Sequence, residues 1–398
     1  MDVSRTRRVV LAAVVLATIV SCGETSDGGT GADAGGATTV AGSTSGTPSS
    51  PDGGPPDSGL AASSPIVEHR TVPAPSLAGN LLGDPAELDV EVQLPASYDT
   101  TDQRYPVVYF LAGYGERASV TAAGQALEEA VAAGTAPETI VVAASGVNAL
   151  GGSFYVDSPV TGDWARAVHT DLVGEIDATY RTIPERDASG IAGFSMGGFG
   201  ALDLAMRHAD VFGSVYALSP GLFDEDGLAE SQMFDDPATV EEFIAGQREL
   251  AGLPDQEAAT ELGRAMAPSA DVRFSAAYGA AFAPDPDAGP PYIDYPYAAP
   301  AGPVDAQVWE RWEAGFGGIA DEMARFAEDL RSLRGVMVDV GLNDEYAWIP
   351  DGCTYFAEQA ELHDVPVRLE QYDGGHGPVS LRAGATMWPF FAATLATS

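Results

Sequence analysis

Uninterrupted apolar runs of five or six residues alternate along this chain with segments whose apolar positions recur every three or four residues. The runs at 106–111 and 139–144 read as strands buried on both faces, with a helix at about 118–133 between them. A third run, Gly190-Ile191-Ala192, leads into a helix from Phe199 to about Arg207, and a fourth strand follows at 214–219. Far downstream, strands at 335–340 and 365–370 flank a helix at about 353–362. This alternation predicts an α/β fold, a mostly parallel sheet flanked by helices on both faces. The interval between the fourth and fifth strands is far longer than a usual crossover. There the pattern gives helices at 240–251 and 255–266, a Pro- and Tyr-rich stretch at 284–303, and a further helix from Asp305.

The junction of the third strand with its helix reads Gly193-Phe194-Ser195-Met196-Gly197. A serine at a sharp strand-to-helix turn, with glycines two residues to either side, is the pattern of a nucleophile elbow. The turn lifts the hydroxyl out of the sheet and puts the Met196 N–H at a helix N-terminus, where it can stabilise an oxyanion. In a Gly-rich chain the five residues alone also arise by chance, so the surrounding alternation carries the reading.

An elbow serine needs a base, and the chain has five histidines: His69, His169, His208, His363 and His376. In this kind of fold the acid and then the histidine follow the serine, which removes the first two. His208 lies about 20 Å along the elbow helix at 1.5 Å per residue, and His363 ends a helix among carboxylates and reads as a solvated surface residue. His376, in Asp373-Gly374-Gly375-His376-Gly377 after the last strand, is the candidate base. Asp344, in the loop Gly341-Leu342-Asn343-Asp344-Glu345-Tyr346, is the candidate acid, with Glu345 as its rival; Asp339 lies inside the strand and reads as a satisfied polar residue. The loop Leu111-Ala112-Gly113-Tyr114-Gly115 offers the Tyr114 N–H as a second oxyanion donor.

Ser153-Phe154-Tyr155-Val156-Asp157-Ser158, Thr161-Gly162-Asp163-Trp164, Tyr180-Arg181-Thr182 and the elbow with Gly198-Phe199-Gly200-Ala201-Leu202 together resemble the esterase family of α/β-hydrolases. That family includes esterase D-like S-formylglutathione hydrolases, enterochelin esterases, feruloyl esterases and mycolyltransferases. The resemblance runs from roughly Leu88 to Phe391 and implies the α/β-hydrolase fold, Ser195 as nucleophile, Asp344 as acid and His376 as base, with Tyr114 and Met196 supplying the oxyanion hole. Family members often carry histidine where this chain has Phe194 and Ala112, which bears on the acyl pocket. Phe154, Trp164 and Phe194 are the expected substrate-binding residues, and the segment 221–334 is expected to form a helical cap over Ser195. Its Tyr292, Tyr295, Tyr297, Trp309 and Trp312 read equally as pocket lining and as cap core.

Arg5, Arg7 and Arg8 precede an apolar run at 9–20, too short for a permanent membrane span and the right length for a signal-peptide core. It ends in Ile19-Val20-Ser21-Cys22, which resembles a bacterial lipobox with Cys22 as the lipidation site; the alternative is an ordinary signal peptide with an incidental cysteine. Residues 1–21 thus read as a lipoprotein signal peptide. Residues 22–64, nearly all Gly, Ala, Ser, Thr, Pro and Asp, read as a disordered tether, and 65–398 as the hydrolase domain.

With Cys22 lipidated, Cys353 has no disulfide partner in the chain. The 19 basic residues, all arginine, stand against 58 acidic ones for a net charge of −39, which disfavours nucleic acid as a partner. Without lysine there is neither a P-loop nor a Schiff base. No zinc-type cluster appears, and Asp224-Glu225-Asp226-Gly227 lacks the rest of a calcium loop, so no cofactor or metal is expected. The expectation from the sequence is an exported, lipid-anchored serine esterase of the bacterial cell envelope, acting on a small-molecule, envelope or polysaccharide ester. An acyltransferase, or a catalytically idle surface-binding protein on the same scaffold, are the alternatives.

Overall fold

The computed structural model describes residues 65–397. Its first two strands, β1 (Ile66–Pro73) and β2 (Glu87–Leu94), pair antiparallel. Neither is an unbroken apolar run, and neither is predicted from one. β2 nonetheless shows a strict period of two, with Leu88, Val90, Val92 and Leu94 all buried. The parallel strands follow, β3 (Val107–Leu111), β4 (Ile140–Ala144), β7 (Ser189–Phe194), β8 (Ser214–Leu218), β9 (Gly335–Gly341) and β10 (Val367–Tyr372), while β5 (Asp157–Ser158) and β6 (Gly162–Asp163) form a separate antiparallel ribbon of two residues each. The main sheet runs β1-β2-β4-β3-β7-β8-β9-β10. β2 pairs antiparallel with β4, and every pairing from β4 across to β10 is parallel. The predicted α/β class is therefore borne out.

Successive residues of each central strand point to opposite faces, and each face builds its own core. Tyr109, Val142, Ile191, Val215 and Val338 face one core. Val108, Val141, Ala192, Tyr216 and Met337 face the other, where the helix Thr121–Ala132 and the C-terminal helix Trp388–Thr394 cover them. Burial on both sides explains why these strands read as unbroken apolar runs rather than as alternation.

Between β8 and β9 the chain forms helices at Gly227–Glu230, Pro237–Ala251, Asp255–Ala265, Ala270–Phe282, Ala306–Phe316 and Ile319–Ser332. The Pro237–Ala251, Ala270–Phe282 and Ala306–Phe316 helices are capped by Asp236, Ser269 and Asp305, whose side chains accept first-turn N–H groups. Ile319–Ser332 packs on the elbow helix Met196–Arg207, through Glu322 to Arg207, and returns the chain to β9 as the crossover the parallel pairing needs. The inserted part of 221–334 is therefore the stretch before this helix.

Candidate active site

Because the central strands are parallel, the loops after β3, β7, β8, β9 and β10 leave the sheet at one edge. Ser195 stands at that edge between β7 and the elbow helix, with φ 56° and ψ −116°. A non-glycine residue there is strained, and the surroundings hold it. Its N–H donates to the Leu218 carbonyl at 2.9 Å, tying the turn to β8, and its own carbonyl accepts from Phe199 at 3.1 Å. A Cβ on Gly193 would overlap the Gly197 carbonyl, and one on Gly197 would overlap the Leu111 carbonyl. The glycines are required by the close crossing of strand and helix.

His376 and Asp344 come together from loops 32 positions apart, with Nδ1 of the imidazole 2.7 Å from Asp344 Oδ2. The Asp344 side chain is wholly buried, and its Oδ1 accepts the Tyr346 N–H at 2.9 Å. Glu345, the rival acid, does not face the ring: its Oε2 accepts the His376 backbone N–H at 3.1 Å. The Phe194 ring lies 4.7 Å from the imidazole, centre to centre, and Tyr346 stands edge-on at 5.3 Å.

The remaining histidines sit elsewhere. His69 pairs with Glu91 on the first two strands, and His208 stacks on His169 at 3.6 Å. His363 ends the helix Trp348–Leu362.

In the loop after β3, Gly113 donates its N–H to Glu116 Oε2 at 3.0 Å and Gly115 donates to the Gly151 carbonyl at 3.0 Å. The N–H groups of Tyr114, between them, and of Met196, at the start of the elbow helix, have no acceptor among the described residues. The Tyr114 hydroxyl instead faces inward, donating to the Leu150 carbonyl at 2.8 Å, and burial raises the phenol well above its ordinary range.

Residues 85–396 match the family model described as "Putative esterase". The chain belongs to this esterase family. Esterase Rv1288 of Mycobacterium tuberculosis is 32% identical over 130 residues, which is 31% of this chain and 27% of that protein. The chain thus spans about a quarter of the length of the curated relatives it matches. Among solved structures, a ferulic acid esterase is similar with a TM-score of 0.52 at 22% identity, over 83% of this chain and 99% of that one. FphF, a fluorophosphonate-binding serine hydrolase of Staphylococcus aureus, is similar with a TM-score of 0.50 at 15% identity, over 83% and 98%. These likenesses show the α/β-hydrolase fold.

In this esterase-family chain Ser195, Met196, Tyr114 and His376 open onto one cavity of about 180 Å³. Its other walls are Phe194, Phe274, Phe316 and Trp348, with Glu116, Gln232 and Tyr346 as polar members. Of the expected substrate-binding residues, only Phe194 lines it. Phe154 is fully buried behind the wall among Tyr114, Phe274 and Tyr278. Trp164 is core, its indole N–H donating to the Thr161 carbonyl at 2.9 Å. Both expectations are corrected for the same reason: a large aromatic without an open face is packing, whatever motif it sits in.

None of Tyr292, Tyr295, Tyr297, Trp309 and Trp312 lines the cavity either. Trp312 is fully buried, and Tyr295 stacks on Phe243 at 3.9 Å, inside the insertion. The insertion instead contributes Gln232, Phe274 and Phe316 to the cavity wall. Neither phenylalanine stands out in the sequence: Phe316 is an ordinary apolar position of the helix expected from Asp305, and Phe274 lies in the helix Ala270–Phe282, which the apolar pattern does not predict.

Trp348, whose indole N–H donates to Gln232 Oε1 at 3.1 Å, follows Asp344 by only four residues. That proximity was the available signal. Among the described residues no group of three or more His, Cys, Asp or Glu could hold a metal ion, and Cys353 is a buried free thiol. Cys22 and the segments 1–21 and 22–64 lie outside the described residues.

Proposed function

We propose that this chain is a serine esterase that cleaves carboxylic esters through an acyl-enzyme intermediate. The observation that carries the reading is the 2.7 Å bond between His376 Nδ1 and the buried Asp344, with the same imidazole and Ser195 opening onto one cavity. Asp344 fixes the tautomer that leaves Nε2 free to take the Ser195 proton, and stabilises the imidazolium that results. The Ser195 oxygen attacks the ester carbonyl, and the Tyr114 and Met196 N–H groups receive the developing oxyanion. His376 then protonates the leaving alcohol, and water, deprotonated by the same imidazole, releases the acid. The apolar, largely aromatic wall supports a compact acyl or aryl group in the cavity, with the rest of the ester outside.

Turnover of a panel of acyl and aryl esters tests the reading. Ser195→Ala and His376→Ala should each lower kcat by on the order of 10⁴–10⁶-fold, and Asp344→Asn by about 10⁴-fold. Glu345→Gln should stay within about tenfold of wild type, because its carboxylate meets the loop backbone and not the ring. Wild-type turnover by Ser195→Ala would overturn the proposal. Free acid as the only acyl product supports hydrolysis; an acyl group passed to an added sugar or lipid hydroxyl would replace it with transfer.

Location at the cell envelope through a lipidated Cys22 is part of the same proposal and rests on the N-terminal sequence. Cys22→Ser should move the protein from the membrane fraction to the soluble one.

A further inference from the structure

His376 lies in a stretch without regular structure between β10 and the short helix Val379–Arg382, flanked by Gly374, Gly375 and Gly377. A catalytic imidazole must be held to within about 0.5 Å. The backbone here supplies no ladder or helix to do so.

Side chains grip the His376 peptide at both ends. Glu345 accepts its N–H, and Arg382 Nη2 donates to its carbonyl at 2.8 Å. Arg382 is itself buried, and its Nη1 donates to Asp339 Oδ1 at 2.5 Å and to Ser219 Oγ at 3.0 Å. The other Asp339 oxygen accepts from the Tyr216 hydroxyl at 2.8 Å. The guanidinium carbon lies 5.6 Å from the centre of the Phe194 ring, the residue before the elbow serine. One planar cation therefore joins β9, the end of β8, the elbow and the histidine loop. Only arginine presents enough donors in a fixed fork to do this.

We infer that Arg382 is a positioning residue for the base: through the His376 carbonyl it fixes where the imidazole stands relative to Ser195. The inference rests on the reading of His376 as general base. Its signature is a loss in kcat with binding preserved, since Arg382 does not line the cavity.

Removing Arg382 alone would strand the buried Asp339 carboxylate and threaten the fold. The decisive variant is therefore the double one, Arg382→Met with Asp339→Leu, which removes both charges together. Kinetics, thermal midpoint and the downfield proton resonance of the His376–Asp344 hydrogen bond are read on the full chain. A displacement of about 1 Å costs on the order of 100-fold in rate, so the double variant should stay folded, lose roughly 10- to 100-fold in kcat, keep KM within about threefold, and broaden or shift the resonance.

Arg382→Lys, which keeps the charge without the fork, should show the same split more weakly, and it decides the matter should the double variant not fold. Added guanidinium should restore part of the lost rate in Arg382→Ala. A folded variant with kcat within about twofold of wild type and an unmoved resonance overturns the inference. Should ester turnover survive Ser195→Ala or His376→Ala, the esterase reading itself fails and the positioning role falls with it. Turnover that needs both residues but ignores Arg382 removes the positioning role alone.

Discussion

The serine and the histidine of this site share one cavity but are held there by different means. Ser195 is fixed by backbone: a strained turn, an N–H on the Leu218 carbonyl, and glycines at 193 and 197 where any Cβ would strike main-chain atoms. His376 is fixed by side chains that arrive from other elements, Asp344 and Glu345 from the loop after β9 and Arg382 from the helix beyond. Gly377 beside it has open space around its Cβ position. A steric device is written into five consecutive residues. A side-chain clamp is spread over about forty positions and announces itself at none of them.

The sharpest way to break this contrast is one methyl group in each place. Gly197→Ala must displace the Leu111 carbonyl, so the elbow has to move; we expect a loss of about 1–3 kcal/mol or more in urea unfolding and the loss of nearly all ester turnover. Gly377→Ala meets nothing, and should stay within about 0.5 kcal/mol of wild type with turnover retained. Equal tolerance at the two positions would end the distinction.

A second contrast lies inside the insertion, between its interior and its cavity wall. Trp312→Ala empties a fully buried site and should cost about 3–5 kcal/mol in thermal or urea unfolding. Among molecules that remain folded, the ratio of kcat/KM between a short acyl and a bulky aryl ester should not change. Phe274→Ala should do the reverse, cutting a half-buried cavity wall and altering that ratio by roughly 10-fold at smaller cost in stability.

The division between what the sequence reveals and what it hides follows the same line. The five central parallel strands were legible because burial on both faces makes them almost wholly apolar, with Asp339 the one charged residue among them, and the elbow because its glycines are sterically required. β2 carried a readable period of two that unbroken apolar runs do not capture, while β1, an edge strand of exposed and half-buried residues with Val72 alone buried, carried little. Asp344 and Glu345 are adjacent carboxylates in one loop, and only geometry shows that one meets the ring and the other the peptide. Phe154 and Trp164 failed as pocket residues because a motif marks where a residue stands in the chain and is silent on which way its ring faces.

The smallest expected effect concerns the two histidines outside the site. Burial holds both His169 and His208 below the usual imidazole range; proximity to His208 adds to it for His169, and Asp157 and Asp210 oppose it for both. Unfolded imidazoles take up protons near about pH 6.5, where the folded pair still resists. Stability from this pair is therefore full above that pH and is lost as pH falls through the lowered folded values. The urea midpoint of His169→Gln should fall less than that of wild type between about pH 7.5 and 5.5.

The most direct test of the central claim is the identity of the residue that a fluorophosphonate modifies, read by peptide mass mapping. One adduct, on Ser195, absent in Ser195→Ala and formed much more slowly in His376→Ala, is the predicted result. An adduct on another residue, or ester turnover that continues in protein whose Ser195 is fully modified, would contradict it.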